Sequence, residues 1–324
     1  MQYTTLGKTG VQVSRLCLGT MNFGAKTPDA EAFRIFDAAL ANGINFIDTA
    51  DMYGMPEPGS TESLLGRWFA LGEGRREKTV IATKIWNDIR DPYDGANNRG
   101  FSAYRVRRHV EDCLRRLQTD HIDLLYMHEF DPYTSWDEIW YTYDCLIREG
   151  KVIYAAGSNL ADRQLWRAEL TAEKHGMPGL ACVQNKYNLL NRLEEVDLLP
   201  TLRELNIGFL AWSPLCGGVL SGKGMSDASG RRGRAHAQSD MAKFAEQLSA
   251  YAVLCRELGL SEANVSTAWL LSNPALTAPI IGARTVEQLE DTCRAAEMKL
   301  DAETLARIEE IFPGPGEAPE CYRQ

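Results

Sequence analysis

The chain has 324 residues, a length that fits either two ordinary domains or one large α/β barrel. Lysine and arginine number 35 against 44 aspartate and glutamate residues, so the formal net charge is −9. This negative charge argues against a nucleic-acid partner and against an anionic membrane surface, because it would repel phosphate groups. Hydrophobic residues make up 44% of the chain, which is enough for a globular core.

Targeting and membrane signals are absent from the sequence. No run approaches ~18 uncharged apolar residues, and residues 1–5 lack the basic and apolar layout of a secretory signal peptide. The eight cysteines are dispersed without a C-x-x-C pair, which is typical of buried thiols in a reducing compartment and not of a disulfide framework. We therefore expect a cytoplasmic protein.

Short apolar runs alternate with amphipathic stretches along almost the whole chain. Residues 4–6 and 11–13 flank a glycine-containing turn and predict a β-hairpin at the start of the chain. Helical periodicity is clearest at residues 106–117 and 244–258, where apolar side chains recur on one face. Eight further strands are predicted at residues 15–19, 45–50, 79–84, 122–128, 152–158, 181–185, 207–213 and 277–282.

This alternation of eight strands with helices predicts a (β/α)8 TIM barrel with an N-terminal β-hairpin, formed by a single domain over residues 1–324. Two long loops interrupt the alternation, at residues 88–100 after the third barrel strand and at residues 214–240 after the seventh. Both loops lie on the barrel face that carries active sites, so we expect them to act as lids over a substrate or cofactor.

Helix ends are also marked in the sequence. Ser135 with Glu138, and Thr285 with Gln288, have the spacing of a capping box at a helix start. A proline-glycine segment after Phe312 is expected to end the last helix. Glycines that follow helical patterns, and so predict helix ends, are Gly43, Gly150, Gly176 and Gly259.

Four residues that can hold or move a proton fall at or just after the ends of three consecutive predicted strands. Asp48 lies at the end of the second strand with Tyr53 just beyond it, Lys84 ends the third, and His128 ends the fourth. The carboxyl ends of barrel strands open on one face, so these side chains are expected to meet. A phenol has a pKa of about 10 and is a poor acid at neutral pH unless a nearby cation favours the phenolate.

Lys84 is the candidate for that cation, Asp48 would orient Lys84, and His128 would hydrogen-bond a substrate oxygen or share the proton. Such a site protonates an oxygen as negative charge develops on it, as happens when a carbonyl accepts hydride. Each residue also has an ordinary structural interpretation, as an ion pair, a packed ring or a satisfied polar group. Their convergence on one barrel face favours the catalytic interpretation.

The same residues belong to a series of motifs: D-T-A-D-M-Y-G at 48–54, A-T-K at 82–84, Y-M-H at 126–128, G-S-N-L at 157–160, Q-N at 184–185, W-S-P-L at 212–215 and I-G-A-R-T at 281–285. In order and spacing, this series resembles the aldo-keto reductase superfamily. The resemblance implies an NADP(H)-dependent carbonyl reductase on a (β/α)8 barrel, with Asp48, Tyr53, Lys84 and His128 as its catalytic tetrad. Tyr53 would be the general acid in reduction and the base in oxidation.

The resemblance also implies a cofactor cleft. Ser158, Asn159 and Gln184 would hydrogen-bond the nicotinamide carboxamide, and Trp212 would stack on the nicotinamide ring. Arg284, at the start of a helix, is suited to a ribose 2′-phosphate and favours NADP(H) over NAD(H). The other predicted contacts are Thr20, Met21, Ser213, Pro214, Leu215, Gly217, Ser221, Lys223, Gly282, Gln288 and Asp291, with helix capping as the alternative role for Gln288.

Other cofactor sites and metal sites find no support in the sequence. No G-x-G-x-x-G motif follows a strand, so a Rossmann domain is not predicted. No tyrosine is followed four residues later by lysine, which excludes the proton relay of short-chain dehydrogenases. The five histidines form no metal-ligand pattern, so no bound metal is expected.

The substrate is less clearly defined than the cofactor. Stretches at 66–70, 74–77 and 136–138 resemble bacterial members of the superfamily that reduce keto-deoxysugar nucleotides, but also a general bacterial branch that accepts many aldehydes. A small-molecule carbonyl or alcohol substrate is expected, and the mostly apolar pocket suits a hydrophobic aldehyde or ketone. The predicted pocket walls are Phe23, Met52, Met55, Trp86, Glu129 and Phe130.

A second function belongs to a different class of protein. The same branch of the superfamily is similar to potassium-channel β subunits, which bind the cofactor tightly and turn over slowly as regulatory subunits. The predicted hairpin starts almost at Met1, which argues against a separate inactivation peptide. The similarity to these subunits still gives the alternative function, a slow-turnover, cofactor-binding regulatory subunit.

Overall fold

The computed structural model describes residues 1–24, 27–89, 95–222 and 230–323. Its strands are β1 Tyr3–Thr5, β2 Gln12–Ser14, β3 Cys17–Gly19, β4 Phe46–Asp48, β5 Val80–Ile85, β6 Ile122–Met127, β7 Val152–Ser158, β8 Cys182–Lys186, β9 Gly208–Trp212 and β10 Ala278–Ile281. Its α-helices are α1 Asp29–Ala41, α2 Ser60–Phe69, α3 Ala103–Leu117, α4 Trp136–Arg148, α5 Asp162–Lys174, α6 Leu198–Glu204, α7 Ala235–Lys243, α8 Ala245–Leu258, α9 Glu262–Ser272, α10 Val286–Ala295 and α11 Ala302–Ile311.

Strands β3 to β10 pair in parallel in chain order, and β10 pairs with β3 to close the barrel. Strands β1 and β2 form a separate antiparallel pair. The predicted (β/α)8 barrel and the predicted hairpin are both confirmed. No bound of a predicted barrel strand differs from the observed one by more than two residues.

Two bounds shift by two residues: the second barrel strand ends at Asp48 and not at Ala50, and the first begins at Cys17 and not at Arg15. The backbone N–H of Arg15 donates to the carbonyl of Gln2, next to the hairpin, at 2.9 Å. Its guanidinium donates to the carbonyl of Leu271 at 2.8 Å. Arg15 therefore joins the hairpin and α9 to the barrel before the strand begins, and these are contacts that an apolar pattern does not encode.

The barrel interior is filled by side chains from alternate strand positions, as the two-residue period of a strand requires. They form a cluster distinct from the larger layer between strands and helices. Small residues on some strands leave room for the rings of Phe46 and Tyr126. The strand residues of this inner cluster are Cys17, Phe46, Ala82, Leu124, Tyr126, Ala156, Cys182, Leu210, Ala278 and Ile280.

The β1–β2 hairpin closes the amino-terminal end of the barrel. Leu6 and Val13 are fully buried in the inner cluster. Gly7 has φ +51°, and a Cβ there would lie 2.5 Å from backbone atoms of Ala181 and Gly208. Only glycine permits this close approach, because any side chain would collide with main-chain atoms at the start of β8 and β9.

The outer helices follow the predicted periodicity where one face is exposed. In α3 the buried residues include Val106, Val110 and Leu117, as predicted. Helix α9 was not predicted: residues 264–270 are all buried, so the helix has no polar face that would produce a periodic pattern. Among the described residues between β9 and β10 there are therefore three α-helices, α7 to α9, where the sequence predicted one.

The predicted helix ends agree with the structure. Helix α11 ends at Ile311 with Phe312 as its C-cap, as predicted. The four glycines predicted to end helices follow α1, α4, α5 and α8 and have φ between 65° and 81°. This left-handed backbone is typical of a residue that terminates a helix.

The predicted capping box of α4 is only half correct. Ser135 Oγ accepts a hydrogen bond from the N–H of Glu138 at 3.2 Å, as predicted. The Glu138 carboxylate does not return to Ser135, because it accepts instead from the N–H of Ala103, the first residue of α3, at 2.9 Å. One glutamate thereby satisfies an otherwise unpaired donor at the start of a neighbouring helix.

The central parts of both predicted lids, residues 90–94 and 223–229, lie outside the described residues, and Lys223 lies there with them. All eight cysteines are free, and five of them are buried. In the described ranges, no helix combines the length and apolar character that a membrane span needs.

Candidate active site

The carboxyl ends of neighbouring strands bring the predicted proton-transfer residues to one face of the barrel. Asp48 is the last residue of β4, Lys84 the next to last of β5, and His128 directly follows β6. Parallel pairing between β4, β5 and β6 fixes these strand ends side by side. Tyr53 lies in the turn after β4, where its N–H donates to the carbonyl of Ala50 at 3.1 Å.

Lys84 lies at the centre of the group and is fully buried. Its ammonium donates to a carboxylate oxygen of Asp48, to the carbonyl of Thr49 at 2.9 Å and to the hydroxyl of Tyr53 at 3.3 Å. An ammonium has three N–H donors, so all of them have partners. Burial alone would lower the pKa of Lys84, but the negative charge of Asp48 raises it overall, so Lys84 is charged at neutral pH.

Asp48 is held from several sides and is only 1% exposed. Its second carboxylate oxygen accepts from the side-chain amide of Gln184 at 2.8 Å, and its main-chain carbonyl accepts from Thr20 Oγ1 at 2.9 Å. The carbonyl of Gln184 accepts from Ser158 Oγ at 2.9 Å. Three of the predicted cofactor residues therefore support the carboxylate that orients Lys84.

Tyr53 is half-buried, with its hydroxyl directed at Lys84. Burial raises the pKa of Tyr53 above its usual value, and the positive charge of Lys84 acts in the opposite direction without cancelling that effect. Lys84 thus acts in the predicted direction, but the protein alone does not favour the phenolate. Tyr53 carries its proton at neutral pH, which is the form that a general acid requires.

His128 lies beside Tyr53, with ring centroids 6.1 Å apart in an edge-to-face arrangement. Its Nδ1 is 3.2 Å from the side-chain amide nitrogen of Asn87. Burial and the positive charge of Lys84 lower the pKa of His128 to about 3. The ring is therefore neutral at physiological pH and can both donate and accept a hydrogen bond.

We expect an NMR titration of histidine side chains to show His128 still neutral at pH 5, where an ordinary histidine with a pKa of about 6.5 is already charged. The depressed pKa also affects stability, because the unfolded chain binds a proton at this position that the folded chain does not. The His128 contribution to the free energy of unfolding is complete above about pH 6.5 and is lost as the pH falls towards 3. Protonation of His128 near pH 6.5 in the folded protein would contradict this expectation.

Asn159 connects the ends of three strands. Its side-chain N–H groups donate to the carbonyl of His128 at 3.0 Å and to the Glu129 carboxylate at 3.2 Å. Its side-chain oxygen accepts from the indole N–H of Trp212 at 3.0 Å. With φ at 56°, Asn159 has a left-handed backbone that asparagine tolerates better than most residues. It thereby fixes the edge of Trp212 on the face where the tetrad lies.

The loop after β9 begins at the same face of the barrel. Ser213 has φ 58°, and its Oγ accepts from the N–H of Gly217 at 3.1 Å. Ser221 Oγ donates to the carbonyl of Gly218 at 2.6 Å, and the buried Arg232 donates to the same carbonyl at 2.7 Å. Pro214 and Leu215 follow Ser213 in the chain, so the segment 213–221 contains five of the predicted cofactor contacts.

A group of arginines lies near the tetrad, since Arg231 is close enough to Tyr53 for their charges to interact. Arg231 donates to Asn22 Oδ1 at 3.1 Å, and an added Cβ on Gly282 would lie 3.3 Å from its guanidinium. Burial, together with the positive charges of Arg284 and then Arg234, lowers the pKa of Arg231. Sequence reasoning singled out Arg284 and missed the other two, because R-R-G-R at 231–234 reads as an ordinary polar loop.

The two remaining predicted contacts lie at the start of α10 and have partners there. Gln288 donates its N–H to Thr285 Oγ1 at 3.3 Å, and its side-chain oxygen accepts from the N–H of Arg284 at 3.0 Å. Asp291 forms an ion pair with Arg294 one turn later. The predicted capping box is therefore half formed, because the Gln288 side chain bonds to the N–H of Arg284 and not to that of the N-cap Thr285. This does not test whether Gln288 also contacts a cofactor.

The predicted pocket walls are not all placed alike. Trp86 is half-buried, and the Arg99 guanidinium lies 3.9 Å from its ring centroid. Phe23 is turned into the core, where it packs edge to face on Phe36 at 5.0 Å, so it does not face the cleft. Burial raises the pKa of Glu129, while Arg99 opposes the shift. Of the other predicted walls, Met52 and Phe130 are half-buried and Met55 is exposed. Met21, a predicted cofactor contact, is exposed as well.

The described residues contain no group of three or more histidine, cysteine, aspartate or glutamate side chains placed to hold a metal ion. The clustered groups are instead suited to proton transfer and to binding a polyanion. A buried cation next to a protonated phenol and a neutral imidazole can protonate an oxygen, and three neighbouring arginines can bind phosphate.

Comparison with known proteins adds an independent finding. The model of the Aldo/keto reductase family matches residues 15–312. The chain is 53% identical to "Uncharacterized oxidoreductase YrpG" of Bacillus subtilis, over 99% of both chains. It is 31% identical to "Protein tas" of Escherichia coli, over 97% of this chain and 100% of that protein. It is 30% identical to "Probable voltage-gated potassium channel subunit beta" of Arabidopsis thaliana, over 100% of both chains.

Proposed function

This chain belongs to the aldo/keto reductase family, and from that membership we propose that it reduces an aldehyde or ketone to an alcohol with NADP(H). One observation carries the proposal: buried Lys84 bonds to both the Asp48 carboxylate and the protonated hydroxyl of Tyr53. This arrangement supplies a proton and stabilises the charge that its loss leaves behind. A relative named as an oxidoreductase supports the reaction class.

The proton follows a short route. The chemistry that NADPH supplies when bound is a hydride for the carbonyl carbon. As negative charge develops on the carbonyl oxygen, Tyr53 Oη donates its proton to that oxygen. Lys84, 3.3 Å from Tyr53 Oη, stabilises the resulting phenolate, and Asp48 keeps Lys84 charged and in place. In alcohol oxidation the same phenolate accepts the proton.

The residues around the cleft fit the charge and shape of NADP(H). The mutual repulsion of Arg231, Arg234 and Arg284 would be relieved by an anionic group, and Arg284 is the one proposed for the 2′-phosphate. Gly282 leaves room beside Arg231 and Asn22 that a larger side chain would fill. The nicotinamide end is proposed to be held by Ser158, Asn159, Gln184 and Trp212, and the pyrophosphate by the loop containing Leu215, Gly217 and Ser221.

Arg284→Ala is expected to weaken NADPH binding about tenfold or more and to change NADH binding little, because a charge-assisted hydrogen bond contributes roughly 1.5–3 kcal/mol. Dissociation constants for both cofactors, measured by fluorescence titration, would test this. Arg148→Ala is the matched control, since Arg148 is exposed and paired with Asp144 at the carboxyl end of α4, on the side of the barrel opposite to the site. Equal weakening of NADPH and NADH by Arg284→Ala would show that Arg284 does not bind the 2′-phosphate.

The proposed substrate is a carbonyl compound with an apolar body. Trp86, Met52 and Phe130 supply half-buried apolar surface near the tetrad, and Glu129 adds a carboxylate that suits hydroxyl groups of a sugar-type carbonyl. A panel of aldehydes, ketones, keto-sugars and alcohols, assayed with both cofactors by nicotinamide absorbance, tests the proposal. Absence of NADPH oxidation across the panel would contradict it.

A slow-turnover regulatory subunit is the second candidate. The relative from Arabidopsis thaliana, which matches this chain along its whole length, favours it. Tight cofactor binding with a single slow turnover would support this function. Steady NADPH oxidation over many turnovers, with an active substrate from the panel, would exclude it in favour of an ordinary reductase.

A further inference from the structure

Asn87 contacts the tetrad from outside it, and neither the motifs nor the strand ends pointed to this residue. It follows β5 by two residues, and its side-chain amide nitrogen lies 3.2 Å from Nδ1 of His128. In the orientation that the structure gives this amide, its NH2 group faces the ring and can only donate a hydrogen bond, so Nδ1 accepts. A neutral imidazole carries one proton, which leaves that proton on Nε2.

A buried network fixes Asn87 independently of its side chain. The carbonyl of Asn87 accepts from Arg105 at 2.6 Å, and the same guanidinium donates to the carbonyl of Gly100 at 3.0 Å. The N–H of Gly100 donates to the carbonyl of Trp86 at 2.9 Å. Arg105 is fully buried and lies 3.6 Å from the equally buried Asp51. The guanidinium of Arg105 therefore bonds to both ends of the loop that follows β5.

We propose that Asn87 is a positioning residue that fixes the tautomer of His128, with the proton on Nε2 available to a substrate's carbonyl oxygen. The tautomer depends only on the contact between the two side chains. Its consequence for catalysis rests on the proposed carbonyl reduction, in which an Nε2–H donor stabilises the oxygen that Tyr53 protonates.

The tautomer is measured directly on protein labelled with ¹⁵N-histidine, by long-range ¹H–¹⁵N correlation at pH 7. The His128 signals are those missing in His128→Gln. We expect a protonated Nε2 and an unprotonated Nδ1 in the wild-type protein. In Asn87→Asp a carboxylate replaces the donor, and we expect the proton to move to Nδ1, because a carboxylate can only accept. Asn206→Asp, the same change at the opposite end of the barrel, should leave the His128 signals unchanged.

Kinetics separates this inference from the proposed function. Loss of one hydrogen-bond donor to a developing oxyanion lowers kcat by about 100-fold, so Asn87→Asp should lower kcat to that extent while the NADPH dissociation constant stays the same. A wild-type His128 protonated on Nδ1, or an unchanged tautomer in Asn87→Asp, would overturn the inference, and the wild-type spectrum decides this even if the variant does not fold. A wild-type protein with the Nε2–H tautomer and no carbonyl reduction would instead overturn the proposed function alone.

Discussion

Tyr53→Phe is expected to lower kcat for carbonyl reduction by about 100- to 10,000-fold, the contribution typical of a positioned general acid. The hydroxyl that bonds to Lys84 is lost, while the ring that packs against His128 remains. NADPH binding should therefore be preserved, because the phenol acts in proton transfer. Steady-state absorbance assays and fluorescence titration of NADPH would measure the two quantities separately.

Tyr143→Phe is the matched control for this substitution. Tyr143 is fully buried, its ring packs against Phe101 and Trp140, and its hydroxyl donates to the carbonyl of Leu125 at 2.9 Å and not to a side chain of the tetrad. Loss of that bond should lower the free energy of unfolding by about 1 kcal/mol and leave kcat unchanged. Full activity of Tyr53→Phe, or an equal loss of kcat in Tyr143→Phe, would refute the assignment of Tyr53 as the acid.

Lys84→Met is expected to lower the free energy of unfolding by about 3–5 kcal/mol and to abolish activity, because it leaves the Asp48 carboxylate buried without its cation. Loss of the Lys84 charge should raise the pKa of Asp48 further. A carboxyl group with a raised pKa in the folded state is penalised as the pH rises above its unfolded value of about 3.9. The variant should therefore be less destabilised at pH 4 than at pH 8 in urea unfolding experiments.

Two further variants test why Lys84→Met loses stability. Lys151→Met removes a lysine paired with Glu111 and Glu149 at the surface, and should change stability by no more than about 1 kcal/mol. The double variant Asp48→Asn with Lys84→Met removes both buried charges, so we expect it to regain most of the stability and none of the activity. Equal stability of Lys84→Met and Lys151→Met would show that the buried pair does not act as described.

The sequence predicted the barrel because its periodicity is a direct record of burial. Each strand is a short apolar run bounded by polar or glycine residues, and the polar residues at the carboxyl ends stood out against those runs. Asp48, Lys84 and His128 could be predicted on that basis alone. Tyr53 could be added to them because it lies just beyond the end of the second strand. Helix α9 was missed for the opposite reason, since a helix buried on every side has no period.

The sequence by itself determined the strand order, the helix ends and the group of residues at the strand ends, because these follow from local spacing and backbone geometry. Only the tertiary structure decided which side chains meet across long separations. Asn87 and His128 are 41 residues apart, and Asn22 and Arg231 are 209 residues apart. It also decided that Glu138 caps α3 and that Phe23 packs in the core. The same holds for the pKa of Tyr53, which burial raises more than the charge of Lys84 lowers it. Such contacts depend on how the packed elements are arranged around the barrel, and no local pattern in the chain records that arrangement.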